Sequence, residues 1–558
     1  MTEAESLTLR VLSALLREDV VALRSAGVPE QRTDGTWLRS GTLALPVAED
    51  GYQSEYAARL PLLESGGRLL TTLPEILARV AELADPQDRP GHLDFAEECR
   101  QTLATMRLHA ASRAEVTGRL ADRYGPDTAD WTGPAASLAF DTLAAYLDHP
   151  VYPTARGRSG LSEGQLRRYA PEFHPVFALR WLAVPERLLT VHGTGQLPSW
   201  WPSSRQLGLR PGLAVLPVHP LTAAHRPDLL VPGAVLAEDP RLDVLPTLSM
   251  RTVAVAADPA CHLKLPLATA TLGLRNRRTI KPGTLTDGAA GQRLLAAVVA
   301  REPRFAGRVL HADEQRWAHA GHELLAVLLR RYPTGLSGAV TVSLAALTAT
   351  APDGRLVADQ LADRFYGGSV LDLYRDLLAL LLDWQTTLFG HGIALESHQQ
   401  NTSLVLDRPG GRTRLRLLLK DNDGPRVNTA RLGELGRIAQ EFDDRRILGE
   451  DDSALTDLFT TITAHLCTAA PAFALAAHGR APLDQTLGLL RTALTEAVDR
   501  LGPAGEPLRT RLLDAEHLPV KAMVTAGTLL SKERSGAADI NKHYTTGPNY
   551  LRRPGIQR

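Results

Sequence analysis

Apolar positions recur at helical spacing through residues 73–83, 95–124 and 135–147, which predicts three amphipathic helices in the first part of the chain. Strand-like runs there are confined to residues 37–60, so residues 1–148 read as a mostly helical N-terminal lobe. From residue 149 to 365 the pattern shortens to β-like runs broken by proline and glycine, such as 213–218 and 253–256. That pattern predicts a sheet-bearing middle lobe. Residues 371–389 then form a strongly apolar helical run stopped by Gly390 and Gly392. Helical periodicity returns at 430–442, 453–467 and 483–501, so residues 366–558 read as a hairpin backed by helices. No internal repeat and no long low-complexity linker divides the chain. The three lobes are therefore expected to pack together as an α+β fold.

Composition narrows the class. A chain of 558 residues is too long for one small core, and 44% hydrophobic with 22% charged residues is the balance of an ordinary globular protein. Lys+Arg and Asp+Glu are both 62, which leaves no net field to attract nucleic acid or an anionic membrane surface. Cys99, Cys261 and Cys467 lie far apart, with no C-x-x-C spacing. This argues against a disulfide framework and a zinc site, and fits a reducing cytoplasm. The acidic start Met1–Glu5 leads into an amphipathic helix, not a signal peptide, and no stretch is expected to reach the roughly 18 apolar residues that span a bilayer. A cytoplasmic location follows. Arginine supplies nearly all positive charge, since Lys264, Lys281, Lys420, Lys521, Lys532 and Lys542 are the only lysines. Lys264, inside an apolar run, reads as a place that requires a compact ammonium.

The candidate chemistry concentrates in two hairpins. Glu396, Ser397, His398, Gln399, Gln400 and Asn401 interrupt an apolar context and precede the apolar run 401–407. A Pro-Gly-Gly turn at 409–411 separates that run from a second one, 412–419. Antiparallel pairing about this turn is expected to bring Asn401 opposite Asp421. An oxygen-rich cluster there suits Mg²⁺, which takes one or two carboxylates together with phosphate oxygens. A second hairpin is expected to run out along 248–255, turn at Asp258-Pro259-Ala260 and return along 262–271. It gathers Ser249, Arg251, Thr252, Lys264 and Thr271, with Arg275 just beyond. Such hydroxyl and cationic donors match a triphosphate. No G-x-x-x-x-G-K-[ST] loop is present, so any nucleotide is held by other means. Histidines 149, 174, 219 and 225 cluster near prolines, without the spacing of a zinc hydrolase.

Taken in order, these segments resemble the NRPS-independent siderophore synthetases, the IucA/IucC-like family, from about His149 to the C-terminal region. Residues 148–160 followed by Tyr169-Ala170-Pro171-Glu172-Phe173 resemble its G-H-P-x-H-P-x-x-K-x-R-x-G…Y-x-P-E-F signature. Val218-His219-Pro220 resembles its H-P-W-Q element. Ser249 to Thr252, Lys264-Leu265, Thr271 and Arg275 resemble its S-x-R-T…K-L…T-x-x-x-R site. Glu396 to Asn401 with Asp421 resembles its E-x-H-Q-Q-N…R-D element.

The resemblance implies a cupped-hand fold with thumb, fingers and palm lobes, and an ATP- and Mg²⁺-dependent ligase. Such a ligase adenylates a carboxylic acid and passes the acyl group to an amine or hydroxyl acceptor. By carry-over, Ser249, Arg251, Thr252, Lys264, Thr271 and Arg275 hold the phosphates, with Lys264, Arg275 and His398 catalytic. His398 and Gln400 contact the nucleotide, and Glu396, Asn401 and Asp421 hold Mg²⁺. His149, Arg156 and Arg158, with Thr271 and Arg275, face the acid substrate. A homodimer is compatible with the family. The chain departs from the family at Tyr152 (family His), Arg156 (Lys), Leu221-Thr222 (Trp-Gln) and Lys420 (Arg), which puts citrate itself in question as the acid. Two other readings share the polar hairpin: a kinase-like phosphoryl transferase, separated by release of ADP instead of pyrophosphate, and a non-catalytic binder of a ferric chelate or polycarboxylate.

Overall fold

The protein is described by a computed structural model over residues 1–194, 197–536 and 543–556; Lys542 lies outside them. Helix α1 (Glu3–Arg17) starts at a capping box in which the Thr2 hydroxyl accepts the Glu5 N–H and the Glu5 carboxylate accepts the Thr2 N–H. It buries Leu7, Val11, Leu12 and Leu15. Six antiparallel strands follow: β1 (Val28–Arg32), β2 (Gly35–Ser40), β3 (Leu43–Glu49), β4 (Tyr56–Ala58), β5 (Leu63–Ser65) and β6 (Arg68–Leu70). The lobe thus holds more sheet than its pattern indicated. Strands β1 and β6 are edges with exposed residues such as Val28 and Leu69, so they lack the buried alternation that marks a strand in sequence. Helices α2 (Leu73–Leu83) and α3 (Arg89–Tyr124) fall where the periodicity placed them.

Helix α4 (Gly133–Ala145) follows, but its core is elsewhere. Phe140 and Leu143 of α4 pack with the C-terminal half of the chain, whereas α1 to α3 share a separate core with Tyr152 and Val524. The middle region runs through α5 (Glu163–Tyr169), β7 (Phe177–Pro185), β8 (Thr190–His192), β9 (Leu213–Val218), α6 (Pro220–Ala223), β10 (Val235–Leu236), β11 (Arg241–Pro246), β12 (Thr252–Val255) and β13 (Asp258–Lys264). It continues through α7 (Pro282–Arg301), β14 (Val309–His311), β15 (Asp313–His319), β16 (Ala326–Arg331) and β17 (Val340–Ser343). A nine-stranded sheet in the order β10-β7-β11-β12-β13-β16-β15-β8, with β9 on β7, forms its centre. The second predicted hairpin exists as β12 and β13, with Thr252 opposite Lys264. It is shorter than expected. Residues 248–251 are not strand, the turn falls before Asp258, and Pro266, which cannot donate to the ladder, follows the end of the return strand.

Helices α8 (Val357–Tyr366) and α9 (Val370–Gly390) lead through β18 (Ile393–Ala394) to the main hairpin, β19 (Thr402–Asp407) and β20 (Arg414–Leu419). Thr402 pairs with Leu419, so Asn401 stands opposite Lys420 and its carbonyl accepts the Lys420 N–H. Asp421 lies one residue beyond the expected partner position. Residues 430–442 form short turns, not one helix, because Gly433 takes a positive φ of 53°. The run Ser453–Ala477 is continuous and apolar enough, by length and hydropathy, to cross a bilayer, contrary to the sequence expectation. Its apolar window is 83% buried against the surrounding helices, the setting of a core helix.

Candidate active site

Distant segments of the chain open on a cavity of about 620 Å³. One wall is the segment 148–158, which contributes His149, Arg156 and Arg158. A second wall carries Ser249, Arg251 and Thr271, joined by Asn276 and Arg278. The third is the main hairpin's mouth, with Glu396, His398, Gln400, Asn401 and Asp421. Segments more than 200 residues apart in sequence therefore open on one space. Leu344, Ile462, Leu466 and Phe473 give it an apolar flank, and Lys521 and Met523 enter from the C-terminal segment.

The polar turn 396–401 is fixed from inside. The buried Ser397 hydroxyl accepts from Gln385 Nε2 at 2.8 Å, and Ser397 O accepts the Thr402 hydroxyl at 2.9 Å. The Asn401 N–H donates to His398 O at 2.8 Å, which closes the turn and points the intervening side chains at the cavity. His398 Nδ1 accepts the Gln400 N–H at 3.3 Å, which leaves the ring proton on Nε2. Burial pushes the His398 pKa down to about 4, with the Lys521 and Arg278 cations acting in the same direction and Asp421 against it. His398 is thus neutral near pH 7. His149 is neutral for the same reason: burial, then His398, Arg10 and Arg17, take it to about 3, and its Nδ1 accepts the Tyr152 N–H at 3.1 Å.

Asp421 is the electrostatic centre. Its φ is 63°, an uncommon conformation for a residue with a side chain, and its N–H donates to Glu314 Oε1 at 2.8 Å. Asp421 Oδ1 accepts Lys264 Nζ and, at 3.2 Å, Arg330 Nη2. Burial disfavours the carboxylate ion, but Lys264, Arg330 and Arg251 outweigh it and hold Asp421 well below the usual carboxylate range. Lys264 Nζ also donates to Asp423 Oδ2 at 3.1 Å, and Arg330 Nε donates to Glu314 Oε1. Asp421 and Asp423 line the cavity, while Lys264 and Arg330 stand behind them, nearly fully buried. Glu396, Asp421, Asp423 and Asn401 line that end, but Lys264 and Arg330 hold the aspartates, and among the described residues no group of three or more carboxylate, histidine or cysteine side chains is gathered to hold a metal by itself. Mg²⁺, which is commonly bound by one or two carboxylates together with phosphate oxygens, would therefore need a nucleotide to complete its ligands here.

Eleven of the predicted positions line the cavity, and Thr252, Lys264 and Arg275 do not. The Thr252 hydroxyl accepts from Ser249 Oγ at 3.1 Å, a contact that orients the serine. Lys264 is engaged by the two aspartates. Arg275 Nη1 donates to Ala526 O at 3.2 Å, so Arg278 occupies the cavity wall in its place. Tyr152 is likewise withdrawn: it is fully buried, and its hydroxyl donates to Glu98 Oε1 at 3.0 Å. Its replacement of a histidine therefore does not place a phenol in the acid pocket. Lys420 is buried toward the Tyr332 hydroxyl, and Arg330 supplies the cation beside Asp421. Sequence reasoning missed Glu314 and Arg330, and it noted Arg278 and Asp423 only as members of the two polar clusters, without a site role. Arg278 and Asp423 carry a usable signal, adjacency to Arg275 and Asp421, whereas Glu314 and Arg330 look like ordinary charges on strands.

The chain is similar to known proteins in sequence and in fold. Residues 137–349 match the IucA / IucC family, and residues 375–535 match the family described as ferric iron reductase FhuF-like transporter. The chain is 24% identical over 455 residues to staphyloferrin B synthase of Staphylococcus aureus, covering 73% of this chain and 75% of that protein. Its fold matches ATP-bound aerobactin synthetase IucA of Klebsiella pneumoniae, at TM-score 0.68 and 19% identity, over 98% of this chain and 99% of that one. The petrobactin biosynthesis protein AsbB of Bacillus anthracis matches at TM-score 0.74 and 17% identity, over 98% of this chain and 95% of the other.

Proposed function

We propose that the chain, whose residues 137–349 match the IucA / IucC family, is an ATP-dependent ligase of the siderophore-synthetase kind that adenylates a carboxylic acid and transfers the acyl group to an amine or hydroxyl acceptor. The observation that carries the reading is the meeting, in one cavity, of the Ser249/Arg251/Arg278 donor wall, the Glu396/Asn401/Asp421 oxygen cluster and the Arg156/Arg158 wall. A carboxylate oxygen attacks the α-phosphorus, pyrophosphate leaves, and the acceptor's nitrogen or oxygen then displaces AMP from the acyl carbon. Arg251 and Arg278 are placed to neutralise charge on the departing pyrophosphate. Arg251 is oriented for this by donating Nη1 to Thr279 O at 2.8 Å. Lys264 and Arg330 act through Asp421, which they keep ionised and fixed. Glu396, Asn401 and Asp421 are the residues that would hold Mg²⁺, whose charge, when present, offsets that of the phosphate oxygens. Neutral His398 offers an Nε2–H donor to a phosphate or acyl oxygen without adding charge.

Staphyloferrin B synthase and aerobactin synthetase are named for siderophores, which supports siderophore assembly as the setting here. We assign the protein to the cytoplasm, where ATP is supplied, and a homodimer is the expected assembly. The test is Mg²⁺-ATP-dependent pyrophosphate release with hydroxylamine as a surrogate acceptor, across citrate, 2-oxoglutarate, succinate, malate and amino-acid carboxylates. Hydroxamate and pyrophosphate with at least one acid, lost in Arg251→Ala, is the expected result. ADP in place of pyrophosphate overturns adenylation.

A further inference from the structure

Helix α4 reaches the cavity along one face. Leu138 packs on Leu245 of β11 and Ala254 of β12, Asp141 lies one turn further on, and Ala144 and Ala145 line the cavity. Positions three and four apart share a side of a helix, so the side that seats α4 on the sheet also carries Asp141 toward the turn 247–252. There Asp141 Oδ2 accepts the Leu248 N–H at 3.1 Å. The aspartate is 6% exposed. Burial favours its neutral form, and the Lys420 ammonium, equally buried, works against that. Lys420 belongs to the main hairpin's mouth, where its N–H donates to Asn401 O at 3.1 Å.

The turn is closed from within at every other N–H. Those of Thr247, Met250 and Arg251 donate to Thr252 O at 2.9 Å, Thr247 O at 2.8 Å and Ser249 O at 2.7 Å. Those of Ser249 and Thr252 donate to the Thr247 hydroxyl at 3.4 Å and to Ser249 Oγ at 3.2 Å. Leu248 alone donates outside the turn, to Asp141. Met250 takes a φ of 62°, a conformation that is costly for a residue with a side chain and persists only where the surroundings hold it. Ser249 and Arg251, which line the cavity, sit on either side of it. We propose that Asp141 is a positioning residue for phosphate binding: through the Leu248 N–H it holds the turn in the form that presents Ser249 and Arg251 to the nucleotide. Without an acceptor at 141 this N–H is left unpaired, and the turn must shift to find another partner. The inference deepens the ligase reading and rests on it for the identity of the group that Ser249 and Arg251 meet.

Calorimetric titration of the intact protein with Mg²⁺-ATP is the test. Asp141→Leu keeps a similar volume and removes the acceptor, whereas Asp141→Asn keeps an acceptor oxygen and removes the charge. ATP is expected to bind about tenfold or more weakly to Asp141→Leu, and within about threefold of the wild-type affinity to Asp141→Asn. Hydrogen exchange of the 247–252 amides is expected to quicken in Asp141→Leu and to stay near wild type in Asp141→Asn. Asp141→Ala replaces the leucine variant in the same comparison if leucine prevents folding. Wild-type ATP affinity in a folded variant without the acceptor, or equal losses with and without it, overturns the inference. Turnover keeps the two readings apart. Affinity that follows the acceptor while ADP is released in place of pyrophosphate overturns the ligase and keeps the positioning role. Pyrophosphate release with an ATP affinity indifferent to residue 141 leaves the ligase standing without it, and failure of the wild-type protein to bind ATP overturns both.

Discussion

At Asp421 the side chain and the backbone are constrained together, since Glu314 takes the N–H while Lys264 and Arg330 take Oδ1. Asp421→Asn keeps the volume and removes the charge that two buried cations require. Pyrophosphate release is expected to fall by roughly 100-fold, and the urea midpoint to drop with an unchanged m-value; retention of wild-type turnover would remove Asp421 from the reaction. Lys521 makes a second case. In sequence the acceptor region and a plain surface position compete for it, with the surface favoured, yet it is 6% exposed, lines the cavity and lies 3.9 Å from Glu396 Oε1. Lys521→Met keeps the aliphatic stem and is expected to lower kcat by roughly 10-fold to 100-fold with little change in the thermal midpoint. An unaltered kcat would show that the ammonium only balances Glu396.

Helix α7 shows how an element serves the site. Gly288 and Gly291 lie three residues apart on its face toward the 421–423 loop, and a Cβ on Gly291 would stand 2.3 Å from Asn422 O. A side chain there must displace the backbone next to Asp421. Gly118, in the exposed interior of α3, meets nothing within 4 Å. The same substitution should therefore have opposite signs. Gly118→Ala is expected to stabilise the protein by about 0.5–1 kcal/mol through helix propensity. Gly291→Ala is expected to destabilise it by about 1–3 kcal/mol and to reduce turnover. Denaturant melts of the two variants check this, and equal shifts would mean that α7 does not set the loop.

Across the whole molecule, buried histidines set the response to acid. Burial lowers His109, His174, His311 and His465 to about 4 and His219 to about 3. A folded pKa below the unfolded value of about 6.5 means that the unfolded chain binds more protons. The resulting stability is complete above about pH 6.5 and is lost as pH falls toward about 4. The urea midpoint is expected to decline steadily across that window, and a flat profile down to pH 4 would show that these histidines are open to solvent. The protein holds this arrangement in neutral form because each ring sits among apolar and aromatic neighbours, as His219 does between Tyr169 and Phe177.

What the sequence by itself determined is local. The helices 73–83 and 371–389 follow from 3.6-residue periodicity, and the hairpin 402–419 from apolar runs about a Pro-Gly-Gly turn. The ordered polar motifs carry the resemblance to the IucA / IucC family, because each needs only a few consecutive residues. The one-residue slip that sets Lys420, not Asp421, opposite Asn401 came from the turn, whose geometry fixes register and is not readable from composition. Tertiary structure decided the rest. It set Glu314 and Arg330 behind Asp421, drew Tyr152 away from the cavity onto Glu98, exchanged Arg275 for Arg278, and brought Arg10 to Asp148 and Lys521 to Glu396. These partners come from separate segments, many of them more than a hundred residues apart. No local pattern encodes which buried charge meets which; the packing of distant segments against one another does.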